Sequence, residues 1–127
     1  MANILIVYHT YGDGPVGRLA RGIGAGAEEV DDIVVNVQGV VDTTEEDLIR
    51  ADGIAIGSPK MPGHTVSPDI AGLLARMDGL RHELHYKVGT AFSGSYSSFG
   101  GQELVIQTIL RALMVSNMVV VGQGCGE

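Results

Sequence analysis

Two short apolar runs, each breaking into a loop of small, hydroxylated and glycine residues, constrain this chain more than anything else in it. They are DGIAIGSPKMPG at 52–63 and KVGTAFSGSYSSFGGQE at 87–103. Each run is too brief for a helix. An apolar stretch of that length, bounded by turn residues, reads as a strand buried on both faces of a parallel sheet. In open α/β sheets ligands sit beyond the carboxyl ends of the strands, so the loops at 58–64 and 93–101 are where a binding site is expected.

Around these runs the chain alternates. Residues 4–8 are continuously apolar and rich in branched side chains, as a central strand requires. After the loop HTYGDGP at 9–15, Val16, Leu19, Ala20, Ile23 and Ala27 recur at helical spacing. Gly22, Gly24 and Gly26 each cost about 1 kcal/mol relative to alanine inside a helix. That helix is therefore expected to be held by packing, its glycines allowing close approach to a sheet.

An acidic turn at 28–32 leads to a second strand at 33–37. Thr43, followed three residues later by Glu46, reads as a capping box opening a short helix before a third strand at 53–57. Ser67, Pro68 and Asp69 are an N-cap, a first-turn residue and a dipole-matched acid. Ile70, Leu73, Leu74 and Met77 supply the buried stripe that follows. A fourth strand at 88–92 precedes a helix at 102–114, with an apolar face of Leu104, Val105, Ile109, Leu110 and Leu113, and a fifth strand at 118–121.

Strand–helix alternation of this kind predicts right-handed crossovers and a single α/β domain over 1–127. By analogy with doubly wound folds, the expectation is a five-stranded parallel sheet of order 2-1-3-4-5 without the usual last helix. One sheet face is then covered by the first helix alone. An exposed apolar area of several hundred Å² invites a second subunit, giving a homo-oligomer, or another partner; the alternative is a truncated chain.

Composition closes off several classes. The formal charge of −7, with scattered basic residues, argues against nucleic acid, which demands a basic stripe. It fits a soluble redox carrier. No apolar run reaches the eighteen or so residues of a membrane span. The start MANILIVYH lacks a basic n-region and a cleavage site, so a cytoplasmic protein is expected. Cys125, a single cysteine, cannot pair internally and is assigned no role. His9, His64, His82 and His85 show no spacing that suggests a metal.

Gly12, Gly14 and Gly17 form a G-x-G-x-x-G between a strand and a helix, inviting a dinucleotide. The glycines begin three residues beyond the strand, however, and Asn36 and Gln38 stand where an acidic ribose ligand belongs. A phosphorylated receiver domain needs acids where this chain has His9-Thr10 and Ser58-Pro59. What remains is a mononucleotide, with its phosphate at the first helix's N-terminus and a flat ring between the other two loops.

On these residues the chain resembles the flavodoxin-like superfamily, and within it the WrbA-type FMN-dependent NAD(P)H:quinone oxidoreductases and the small flavodoxins. ADGIAIGSPKMPG is similar to the family's G-(S/T)-P-x-x-x-G loop, and KVGTAFSGSYSSFGGQE to its K-x-(A/G)-x-F-(S/T)-S…G-G-(Q/N)-E stretch. The resemblance implies that Ser58, Pro59, Lys60, Met61, Pro62 and Gly63 line one side of an isoalloxazine ring. Ser93, Gly94, Ser95, Tyr96 and Ser97, with Gly100 and Gly101, wrap the other side and the ribityl chain. Tyr11, Tyr96 and Phe99 are the available stacking aromatics.

Thr10, Tyr11, Gly12, Asp13, Gly14, Pro15 and Val16 then form the phosphate loop. Where flavodoxins read (S/T)-x-T-G-x-T, this chain reads YGDGPV, so Asp13 and Val16 replace two hydroxyls. Backbone N–H groups and the Thr10 hydroxyl are left to hold the anion. At about 1 kcal/mol for each lost contact, weaker FMN binding than the family's is expected.

Three functions follow from the resemblance. The first is a reductase passing electrons from NAD(P)H through FMN to a quinone; the second is a one-electron carrier; the third is a cofactor-free scaffold. No catalytic side chain is required. His64 is either a hydrogen-bond and proton donor to reduced flavin or a surface histidine. Lys60 either favours a flavin anion or nicotinamide phosphate, or is solvated.

Overall fold

The computed structural model describes residues 1–95 and 100–122; Tyr96, Ser97, Phe99 and Cys125 lie outside the described residues. Strand β1 (Ala2–Tyr8) runs through the interior of the sheet, flanked by β2 (Ile33–Gly39) and β3 (Gly53–Pro59). Beyond them lie β4 (Val88–Gly94) and β5 (Val119–Val120). All pairings are parallel, as expected from the alternation of elements, and the order is β2-β1-β3-β4-β5, as expected by analogy with doubly wound folds. The strands run to Gly39, Pro59 and Gly94, two residues further than the apolar runs suggest, because ladder bonds continue into the small residues.

Helix α1 (Pro15–Ala27) covers one face, burying Val16 and Ala20 against Ile6, Ala55 and Phe92. The other face carries α2 (Glu45–Arg50), α3 (Pro68–Asp78), α4 (Arg81–Leu84) and α5 (Gln102–Val115). Their Leu48, Ile70, Leu73, Met77, Leu84, Val105, Ile109 and Leu113 pack on Leu5, Val7, Ile54 and Ile56. The alternation of side chains along each strand divides the core into these two layers.

Three local expectations need correction. In α1 the buried stripe is Val16, Gly17, Ala20 and Gly24, whereas Leu19 and Ile23 are exposed and Ala27 is half-buried. A methyl group at Gly24 would stand 2.6 Å from Val37 Cγ2. The helix thus approaches the sheet along its glycine side and turns its larger side chains outward.

The capping box lies one residue further on than expected. Thr44 Oγ1 accepts from Asp47 N (3.2 Å) and Asp47 Oδ2 accepts from Thr44 N (2.9 Å). Thr43 is buried instead, donating to Gly39 O (3.1 Å), because a 3₁₀ turn at Val40–Asp42 draws it inward. In α5, Leu104 is 47% exposed while Val105, Ile109 and Leu113 face the core.

On the α1 side, Val88, Val119 and Val121 are about half exposed, and α1 is the one helix on that face among the described residues. No described helix is long and apolar enough to cross a membrane.

Candidate functional site

The register pairs Tyr8 with Gly57, Ser58 with Ser93 and Pro59 with Gly94, so three strands end at one rim. Beyond β1 the His9 N–H still donates to Gly57 O (3.1 Å), and the chain then curls tightly into α1. Gly14 is the N-cap: a methyl group there would meet Thr10 Oγ1 at 2.7 Å and Tyr11 O at 3.1 Å, so no larger residue fits without movement. Gly14 supplies no side-chain cap, Pro15 follows in the first turn, and that turn contains no acid. The N–H groups of the turn therefore keep their positive end of the helix dipole uncompensated by a side chain of the first turn.

The Thr10 hydroxyl is buried here without a hydrogen-bond partner among the described residues. Val16, in the position where the resemblance calls for a hydroxyl, is wholly buried in the layer under α1. Asp13 and Gly12 are exposed at the tip of the loop, away from the cavity wall.

In the second and third loops the Ser58 and Ser93 side chains serve the scaffold. Ser58 Oγ accepts from Ser67 N (2.9 Å), and Ser67 Oγ in turn accepts from Ile70 N (3.3 Å) to cap α3. Ser93 Oγ donates to Ser58 O (2.7 Å), tying β4 to β3 at the rim. Residues 61–64 make a tight turn closed by His64 N donating to Met61 O (2.9 Å), with Pro62 and Gly63 at its centre. Gly63 has φ +84°, the value a type II turn demands at that position.

Lys60 Nζ donates to Gly100 O (2.6 Å), so the ammonium ties the second loop to the third. His64 reaches the same place: a methyl group on Gly101 would overlap its imidazole. Gly101 N donates to Glu103 Oε2 (3.0 Å) at the start of α5.

The three loops enclose a cavity of about 150 Å³. The first loop contributes Thr10, Tyr11, Gly14, Pro15 and Val16, the second Pro59 and Lys60, and the third Gly94 and Ser95. Ser58, Met61, Pro62, Gly63, Ser93, Gly100 and Gly101 shape these loops from behind or beside the wall. Sequence reasoning passed over His9, whose Nε2 lies 3.5 Å from Asp69 Oδ2 and whose ring meets that of Tyr11 edge to face at 4.6 Å. No sequence signal links positions sixty residues apart. Among the described residues, no group of three or more His, Cys, Asp or Glu side chains is disposed to hold a metal.

No protein-family model matches the chain. It is 32% identical, over 96% of its length, to a flavodoxin from Aquifex aeolicus (strain VF5), and spans 65% of that protein. It is 31% identical, over 96% of its length, to an NAD(P)H dehydrogenase (quinone) from Cupriavidus metallidurans, and spans 71% of that one. Among solved structures, the flavodoxin, WrbA-like protein from Agrobacterium tumefaciens superposes with a TM-score of 0.79 at 20% identity, covering 94% of this chain and 76% of the other. Sheet order defines the class as a doubly wound α/β fold, in which ligands are sought at the strand ends. The chain belongs to the flavodoxin-like superfamily, among relatives named flavodoxin and NAD(P)H dehydrogenase (quinone).

Proposed function

We propose that the chain binds FMN at this rim and acts as an NAD(P)H-dependent quinone oxidoreductase. One observation carries the cofactor reading: the buried, unpartnered Thr10 hydroxyl stands beside the glycine cap of α1. A buried polar group left unpaired costs about 1–3 kcal/mol. A phosphate monoester supplies acceptor oxygens both to that hydroxyl and to the N–H groups of the helix's first turn. Thr10, Tyr11, Gly14 and Pro15 would hold the phosphate end, and Pro59, Lys60, Gly94 and Ser95 the remainder. Asp13 and Val16 stand where the family has two hydroxyls; Asp13 is exposed and is not part of the cavity lining.

When bound, FMN supplies hydride acceptance from a nicotinamide and electron delivery to a quinone. The chain's own share is to bind, orient and exclude water. Lys60, anchored on Gly100, holds two loops together and keeps a positive charge at the cavity wall. Support for NAD(P)H as donor and quinone as acceptor comes from relatives named NAD(P)H dehydrogenase (quinone). We also assign the protein to the cytoplasm, as a homo-oligomer.

Titrating the purified protein with FMN and following flavin fluorescence tests the reading, together with NADPH oxidation in the presence of benzoquinone. Saturable quenching and NADPH consumption that needs both FMN and the quinone are expected. No change at millimolar FMN would overturn the cofactor reading and leave a scaffold. The acidic charge of −7 favours a second reading as a one-electron carrier, since negative charge near the flavin disfavours its anionic reduced form. Flavin binding without NADPH turnover would select it.

A further inference from the structure

Tyr11 is 55% exposed, so burial does little to decide where its ring stands, although it forms part of the cavity wall. What touches it is the His9 imidazole, edge to face at 4.6 Å with 65° between the ring planes. His9 is itself held from two directions. Its backbone N–H donates to Gly57 O (3.1 Å), and its Nε2 lies 3.5 Å from Asp69 Oδ2 in the first turn of α3.

The half-exposed Asp69 sits on a helix turn whose place is set from the second loop. Ser58, at the end of β3, accepts from Ser67 N, and Ser67 caps α3, which sets the place of its first turn. A helix N-terminus also favours a carboxylate there. A contiguous set of contacts thus runs from the second loop through α3 to His9, and from His9 to Tyr11 and its neighbour Thr10.

We propose that the His9–Asp69 contact is the brace of the first loop, setting where the Thr10 hydroxyl and the Tyr11 ring stand, and so the preference for a phosphorylated over an unphosphorylated flavin. His9 and Asp69 are positioning residues; neither is part of the cavity lining. The inference rests on the FMN reading for its ligand, but the brace itself is a property of the free protein.

The test compares wild type with His9→Phe, which keeps an aromatic ring against Tyr11, with Asp69→Ala, which leaves the Ser67 cap intact, and with the double variant. Affinities for FMN and riboflavin are measured by fluorescence quenching, and unfolding midpoints confirm that each variant is folded. Each single variant is expected to lose about tenfold in FMN affinity, with riboflavin affinity within about twofold, and the double variant to lose no more than either single one. Parallel losses for both flavins, or fully additive losses in the double variant, would overturn the proposal.

A second readout needs no flavin. In the free protein, Tyr11 ring resonances are expected to carry the ring-current shift of the imidazole, and Asp69→Ala to remove it. Tyr11 resonances unmoved by that substitution would refute the brace. Wild-type protein that binds neither flavin would refute the functional reading, while the resonance measurement still decides for or against the brace.

Discussion

At the start of α2 the Asp47 carboxylate accepts the Thr44 N–H while the Thr44 hydroxyl accepts the Asp47 N–H. The backbone bond from Thr44, then the hydroxyl, with a smaller contribution from Arg50, hold the Asp47 carboxyl below its ordinary value. A group lowered on folding adds stability that is fully present above its unfolded pKa, near 4, and is lost as the pH falls through the folded value. Thr44→Ala is expected to cost about 1 kcal/mol at pH 7. Asp47→Asn destabilises at pH 7 and progressively less below about pH 4, as the wild-type carboxyl takes up its proton. Glu46→Ala, at the position the sequence suggests, changes stability by under about 0.5 kcal/mol. Urea midpoints measured at both pH values check all three.

Helix α1 decides how the rim is built, because its N-terminus must arrive beside Thr10. Its glycines have separate roles that an all-glycine view of a weak helix hides. Gly24 faces the sheet, with Val37 2.6 Å from a would-be methyl group, while Gly22 and Gly26 face open space. Gly22→Ala is therefore expected to stabilise by about 1 kcal/mol, the ordinary helix-interior gain. Gly24→Ala is expected to destabilise by about 1–3 kcal/mol, since the branched Val37 side chain must shift or the helix must lift. Thermal unfolding separates the two: midpoints moving in the same direction would contradict the packing described for α1.

For the molecule as a whole, the two sheet faces are unequal. Among the described residues, four helices cover one; on the other, Val88, Val119 and Val121 stand about half exposed, and Val88 and Val121 line, with Ile23, a shallow apolar groove of about 250 Å³. Contiguous exposed apolar area invites association. With a second copy as the occupant, light scattering after gel filtration gives twice the chain mass for wild type and the single mass for Val119→Lys combined with Val121→Lys. A wild-type monomer at high micromolar concentration would exclude self-association through this face.

Much of the fold was readable before the structure. The apolar runs around Ile6, Ile56 and Ala91 are too short for anything but strands, the stretches between them carry helical periodicity, and the handedness of crossovers leaves few sheet orders. The rim was legible for the same reason, because glycine, serine and proline gather where strands such as those ending at Pro59 and Gly94 release the chain. Periodicity could not tell which side of α1 is buried, since the contact depends on the absence of a side chain at Gly24. Nor could it tell whether Thr43 or Thr44 caps α2, since both fit the pattern until the 3₁₀ turn buries one. The chain alone thus determined the alternation of elements and the end of the sheet at which a ligand is sought, because both follow from local patterning. Only the folded structure decided that Ser58 and Ser93 face the scaffold, that Lys60 reaches Gly100 and that His9 meets Asp69. Those contacts join residues nine to sixty positions apart, and their distances are set by how the helices pack on the sheet.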